Sequence, residues 1–393
     1  MAMNITVMHS VQYLLNTVTN GDTQAPASGP VKYYHQSGTP PGRWYGKGLA
    51  ALGIEVNDTV SRNQAERLFE HFLHPNQAGV SLGQRKSQLH NWGKQDSNSV
   101  SGYDFTFRIP KSISLVWGVA DVNVQASIMA CHDEAVRRAL DWLEDNVAFT
   151  RSGKGGTVQV PIRGLLAARY DHFDTRNGDP HLHTHVAVAN RVQRASDGKW
   201  LTIDGKQMFH DAVAVSELHE SLLLDILHER LGMNFRERTR PDSRSTKAVV
   251  LDVDGVPTSL ISAFSTRRAN HRLRFDELLA QAQANSDGTP LSRRAINVLD
   301  QQAWRETRRP KDPNQLPLSA KTKAWRRQVH KYGFNPNQIV QDSLARDREQ
   351  ISPNLVTNDD SVMTKLAAIV VDSWANSPSI YSDRKSKPTD VDM

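Results

Sequence analysis

The chain has 393 residues, with 48 Lys/Arg against 42 Asp/Glu and a formal charge of +6. That length allows two or three domains with ample core, and 38% apolar residues place the chain among folded proteins rather than disordered ones. A single cysteine, Cys131, excludes an intramolecular disulfide framework and any Cys-rich zinc module. A metal here must therefore be held by histidines and carboxylates. No run approaches the ~20 apolar residues of a membrane span, and the N-terminus has neither a charged nor an apolar leader region. No membrane insertion or secretion is expected, a reducing cytoplasm fits the cysteine count, and the basic balance makes nucleic acid the first partner to test.

In chain order, residues 5–11 read as a strand and 12–18 as a short helix. Gly/Pro/Asn-rich loops at 19–30 and 37–42 precede a tight-turn segment, Trp44–Gly48. Residues 59–72 open with a Thr59/Ser61 cap and place Val60, Ala65, Leu68, Phe69 and Phe72 at helical spacing. Residues 102–108 alternate aromatic and polar side chains, as a strand does. A long amphipathic helix is expected over 122–147, two β-rich pieces within 157–172, a strand over 181–192 and a helix over 211–231. Strands and helices follow no regular βαβ beat, so the fold class is α+β with a central, mostly antiparallel sheet flanked by helices. From 262 to 332 the chain reads as helical and basic, with fifteen Lys/Arg against six Asp/Glu. After residue 350 a polar tail surrounds one helix candidate at 362–374, and its last dozen residues read as disordered.

The sharpest chemical feature is Asp179-Pro180-His181-Leu182-His183-Thr184-His185, with His172 upstream. Side chains two apart on a strand share a face, so His181, His183 and His185 project together. Residues 174–180, with Asn177-Gly178 inside, can reverse the chain and set His172 beside His183 on a neighbouring antiparallel strand. Three imidazoles then converge with positions left open, as a catalytic metal site requires. H-x-H also opens amidohydrolase-type zinc sites, but there it follows the first strand of a barrel.

Asp104 lies between aromatics on its strand. It is either a solvent-facing carboxylate or an acceptor that orients a metal-bound histidine or takes a proton from a hydroxyl. Lys111 follows Pro110 at a strand-to-helix switch, where it can meet a phosphate or be an ordinary exposed lysine. Nothing local makes Tyr13 reactive. Trp304 and Trp325 can stack bases or fill a core. No Gly-Lys pair is followed by Ser or Thr, so no Walker A loop and no ATPase motor is present.

Taken together, these segments resemble the relaxase domain of TrwC/TraI-type conjugative relaxases of the MobF family, within the HUH endonuclease superfamily. The resemblance is carried by Trp44–Gly48 with Leu52-Gly53, and by Gly102-Tyr103-Asp104-Phe105-Thr106-Phe107-x-x-Pro110-Lys111-Ser112-x-Ser114-Leu115. It continues through His172-x-x-x-Arg176, Asp179-Pro180-x-Leu182-His183-Thr184-His185-Val186-x-x-x-Asn190, Gly198–Trp200, Phe264–Arg267 and Lys323–Gly333. It spans roughly residues 5 to 335.

The resemblance implies a palm domain at 1–255, a helical fingers segment at 256–340 that clamps DNA, and a tail at 341–393. It implies that His172, His183 and His185 hold a divalent metal, Tyr13 attacks the scissile phosphate, and Asp104 orients a ligand histidine or accepts the tyrosine proton. Lys111, Arg176, Arg267 and Arg268 are expected to contact DNA. The family's two Tyr-Tyr pairs are here Tyr13-Leu14 and Tyr33-Tyr34, so Tyr33 or Tyr34 is a candidate for a second transfer. His181 is extra to the pattern. Imidazole ligands suit Zn, Ni, Mn, Fe or Cu better than Mg by softness, yet availability can favour Mg or Mn, and the ion's identity stays open.

The implied activity is metal-dependent, strand-specific nicking of single-stranded DNA beside an origin-of-transfer hairpin, through a 5′-phosphotyrosine link. The implied partners are relaxosome accessory proteins and a type IV secretion coupling protein. The implied location is the bacterial cytoplasm, with export alongside the DNA. A rolling-circle replication initiator and a non-catalytic DNA-binding protein on the same fold are the alternatives.

Overall fold

Alternation fixes the middle of the fold. In 102–108 the aromatics Tyr103, Phe105 and Phe107 are all buried on one face, and Asp104, Thr106 and Arg108 take the other. The computed structural model describes residues 2–18, 39–83, 100–239, 249–286, 289–309 and 316–344. The first half runs β1 (Met3–Met8), α1 (Gln12–Leu15), β2 (Arg43–Tyr45), α2 (Arg62–Ala65), β3 (Gly102–Arg108), α3 (Lys111–Val119) and α4 (Val122–Asn146). Next come β4 (Phe149–Ser152), β5 (Val158–Pro161), β6 (Ala167–Asp174), β7 (Pro180–Ala189), β8 (Val192–Gln193), β9 (Trp200–Leu201), α5 (Gly205–His210) and α6 (Ala212–Leu231). The chain continues through β10 (Phe235–Thr239), β11 (Val249–Val253), α7 (Thr258–Ala263), α8 (Thr266–Ala284), α9 (Arg293–Glu306), α10 (Leu318–Lys331) and α11 (Pro336–Ser343).

Five strands form one sheet in the order β1-β3-β7-β6-β2, and every ladder in it is antiparallel. One face packs Phe105, Phe107, Val186 and Val188 against Val136, Ala139 and Leu140 of α4 and Val215 of α6. Burying such side chains contributes about 1.5–3 kcal/mol each, so this layer holds the ladders in register. Part of the opposite face is covered by Leu14, Trp44, Leu49 and Phe69 around Ala168, Tyr170 and Ala187. Gly46, which helps carry the Trp44–Gly48 motif, has φ +110°, and a Cβ there would sit 2.3 Å from the Leu165 carbonyl oxygen. The C-terminal helices gather around Trp117, Leu260, Phe264 and Trp325 in a second core.

Several boundaries differ from the sequence reading. The first strand starts two residues earlier and stops at Met8, and the helix after it is one turn. The helix expected from 59 begins at Arg62. Ser61 is its cap, in a capping box with Gln64, and the segment widens into a π-helical turn over Glu66–Glu70. The strand expected over 181–192 runs Pro180–Ala189, with Val192–Gln193 a separate short strand. Helix α11 crosses the expected 340/341 boundary. Tyr33, Tyr34, the 362–374 helix candidate and the tail beyond 344 lie outside the described residues. No helix among the described residues is long and apolar enough to cross a membrane.

Candidate active site

Register builds the site. His172 on β6 lies directly opposite His183 on β7, while His185 pairs with Tyr170 on one side and Thr106 on the other. Opposed residues share a face, so His172, His183 and His185 meet above the sheet beside Asp104 and Arg108 of β3. Ligand atoms of the three imidazoles lie within 4.8 Å of one another. The turn that joins their strands is gripped from outside. Asp179 accepts from the Thr266 backbone N–H (3.0 Å) and hydroxyl (2.8 Å), Trp325 Nε1 donates to the Gly178 carbonyl (2.7 Å), and Lys321 pairs with Asp174 (2.9 Å). Trp325 is thus a buried structural residue.

Each ring is held by a named neighbour. His183 Nδ1–H donates to the His181 carbonyl (2.8 Å), which leaves Nε2 with the lone pair. His185 Nδ1 lies 2.8–2.9 Å from both Asp104 oxygens, and Thr17 Oγ1 lies 3.1 Å from His172 Nε2. Burial and then the neighbouring His185 push His183 down to about 3, so that ring is neutral. Three clustered imidazoles with outer nitrogens tied to fixed partners fit a divalent transition-metal ion. The His181 ring is stacked on His183 with centroids 4.7 Å apart, on the outside of the group whose ligand atoms converge. It is the backbone oxygen of His181 that fixes a ligand.

Tyr13 comes to the same place from across the chain. Its hydroxyl donates to Asp104 Oδ2 at 2.5 Å, and its ring meets His185 edge-on, centroids 6.3 Å apart. The solvent-facing reading of Asp104 is overturned, since the carboxylate is buried between the phenol and the imidazole. Burial of the oxygen, and then the Asp104 charge, raise the Tyr13 pKa, so the ground state is the phenol. Tyr13 as a whole is 40% exposed and lines the cleft.

Over residues 8–332 the chain matches the TrwC relaxase family. It belongs to that family. The multifunctional conjugation protein TraI of Escherichia coli is 29% identical over 239 residues, 60% of this chain and 12% of the relative. The TraI protein of Escherichia coli strain K12 is 31% identical over 188 residues, 47% of this chain and 10% of the relative. The chain thus spans about a tenth of the length of these curated relatives. Among solved structures, the conjugative relaxase TrwC in complex with OriT DNA, metal-free, aligns with a TM-score of 0.58 at 21% identity. It covers 85% of this chain and 99% of that one. The copper-bound TrwC complex gives a TM-score of 0.59 at 21% identity over the same shares. At that identity the likeness is one of fold.

A cleft of about 1290 Å³ leads from the relaxase-family centre along α8 and α9, and its lining includes Lys111, Arg176, Arg267, Arg268 and Arg308. Lys111 is not the ordinary exposed lysine of one sequence reading. It is half-buried, donates to the Pro180 carbonyl (2.6 Å), and burial holds it down to about 8. Arg267 is lowered by burial and then by repulsion from Arg308, and Arg176 by burial, Arg308 and Arg267. Trp304 is already stacked on His271 (3.9 Å), with the Arg267 guanidinium 5.1 Å from its ring centroid. Its main contact is therefore with its own chain. Arg108 and Arg308 were not singled out from sequence. Arg108 could have been found by period 2 from Asp104, whereas Arg308 carried no signal beyond its charge.

Proposed function

We propose that this chain nicks single-stranded DNA at an origin of transfer and later rejoins it, as a metal-dependent conjugative relaxase. The observation that carries this reading is the hydrogen-bonded run Tyr13–Asp104–His185 ending on the three-histidine cluster. In this reading residues 1–255 do the chemistry and 256–340 close over the strand, with Lys111, Arg176, Arg267 and Arg268 on its phosphates. His172, His183 and His185 would hold a divalent cation. When bound, such an ion withdraws electrons from the scissile phosphate and makes phosphorus more electrophilic.

Tyr13 Oη forms a bond to phosphorus and the P–O3′ bond breaks, leaving a 5′-phosphotyrosine and a free 3′ hydroxyl. Asp104 takes the phenolic proton as the new bond forms, and the departing O3′ takes a proton from water. One phosphodiester replaces another, so the reverse step reseals DNA without a nucleotide triphosphate. Accessory relaxosome proteins, a coupling protein and transport of the chain with its DNA belong to the same reading. Tyr33 and Tyr34 remain candidates for a second transfer.

The test is a gel assay with 3′-labelled single-stranded oligonucleotides that tile the origin of transfer of the element encoding this chain. A protein-linked band that is lost with EDTA and lost in Tyr13→Phe, while DNA binding persists, is the expected result. An undiminished band in Tyr13→Phe moves the nucleophile elsewhere. No DNA affinity at any salt concentration ends the relaxase reading. Cleavage only at a replication origin favours the rolling-circle alternative.

A further inference from the structure

Tyr13 sits on a single turn of helix, and one turn of helix is not self-supporting. Its cap residue, Val11, brings no side chain to the free N–H groups at its start. The first of those groups, with the Ser10 hydroxyl beside it, is met from another part of the chain. Glu70 Oε1 accepts from the Val11 N–H and from the Ser10 hydroxyl, each at 2.8 Å. Ser10 Oγ in turn accepts from the Gln12 N–H at 3.2 Å. Gln12 Nε2 donates to Glu66 Oε1 at 2.9 Å. Arg62 donates to Gln12 Oε1 at 2.9 Å and to Asn16 Oδ1 at 3.1 Å.

Arg62, Glu66 and Glu70 are spaced by four and present one stripe to α1. The stripe grips the polar side of the turn from Ser10 to Asn16. Leu14 and Leu15 anchor the other side in the core that holds Leu68 and Phe69. Glu66 and Glu70 lie where the segment widens into its π-helical turn, a form that is frequent at functional sites. Hydrogen bonds to a carboxylate are about twice as strong as neutral ones, and Glu70 makes two of them on either side of the peptide that leads into α1.

We propose that Glu70 is a positioning residue for the nucleophile. Through Ser10 and Val11 it sets the path along which Tyr13 Oη meets phosphorus, while Glu66 and Arg62 hold the far end of the turn. The proposal rests on Tyr13 being the nucleophile of the relaxase reading. Asp104 handles the phenolic proton and Glu70 handles the backbone beneath it, so the two carboxylates act on different variables. Displacing a reacting atom by about 1 Å can cost on the order of 100-fold in rate.

The experiment measures single-turnover adduct formation at saturating oligonucleotide, together with oligonucleotide Kd and Tm, on the full chain. Glu70→Ala is expected to slow adduct formation by about 10- to 100-fold with Kd unchanged. Glu70→Gln, which keeps an accepting oxygen, recovers most of the rate. Asp121→Ala removes the cap of α4 and leaves the Arg62, Glu66 and Glu70 stripe in place, and should lower Tm with the rate intact. Equal rates in wild type and Glu70→Ala overturn the proposal, as does a rate loss that Asp121→Ala reproduces. If Glu70→Ala does not fold, Ser10→Ala decides: a slower rate at unchanged Kd supports the proposal and an unchanged rate overturns it. Wild-type chain that forms no adduct defeats the relaxase reading itself, which keeps the two failures distinguishable.

Discussion

The β6–β7 hairpin and the α8–α9 helical hairpin both line the cleft, and they are built on opposite terms. On β6–β7 the imidazoles of His172, His183 and His185 are placed by ladder register and tied to partners within the sheet or against it. On α8–α9 and its neighbours, Arg267 and Arg308 repel one another, and among the described residues neither is in an ion pair. A site for one small ion needs fixed geometry, because a ligand moved by an ångström no longer binds. A surface for a polyanion needs charge density and tolerates adjustment, because each phosphate resembles the next. The first region is held by fixed hydrogen bonds, and the second keeps the guanidinium groups of Arg267 and Arg308 crowded and, among the described residues, free of carboxylates.

Three experiments test that contrast, in falling order of effect. His183→Ala should weaken metal binding by more than about 100-fold, whereas His181→Ala should stay close to wild type, because the backbone oxygen that orients His183 survives. Isothermal titration with Mn or Ni checks both, and equal losses would mean that His181 is itself a ligand. Arg308→Gln should leave the saturated cleavage rate within about twofold and reduce the slope of log affinity against log salt by about 0.7, the value for one single-strand phosphate. An unchanged slope would remove Arg308 from the DNA path.

The smallest effect concerns Lys111. Its pKa in the fold is about 8 against an ordinary 10.5, so the ammonium loses its proton as pH rises from 7 to 9. Affinity for single-stranded DNA should fall over that window in wild type and stay flatter in Lys111→Arg, as read by fluorescence anisotropy. By the same sign, burying the charged form costs stability below pH 8, and that cost fades between 8 and 10.5. Identical pH profiles for the two proteins would exclude Lys111 from binding.

What the sequence made legible was whatever depends on period and proximity. Alternation set the shared face of His183 and His185, and the Asn177-Gly178 reversal put His172 opposite His183 as expected. Asp104 was legible as a polar residue on an aromatic strand, but its partner was not, because Tyr13 lies 91 residues away. Glu70 was invisible for the same reason: its contacts with Ser10 and Val11 span 60 and 59 residues, and a π-helical turn has no sequence signature of its own. Lys111 could be read either way because its burial depends on how α3 packs beside β7, which no local pattern encodes.

The eleven-residue separation of His172 and His183 has a consequence for how the molecule comes into being. Contacts between near neighbours along a chain form early, and those that close long loops form late. The seat for the cation can therefore assemble once a single hairpin has zipped, whereas the phenol and its carboxylate meet only after most of the domain has collapsed.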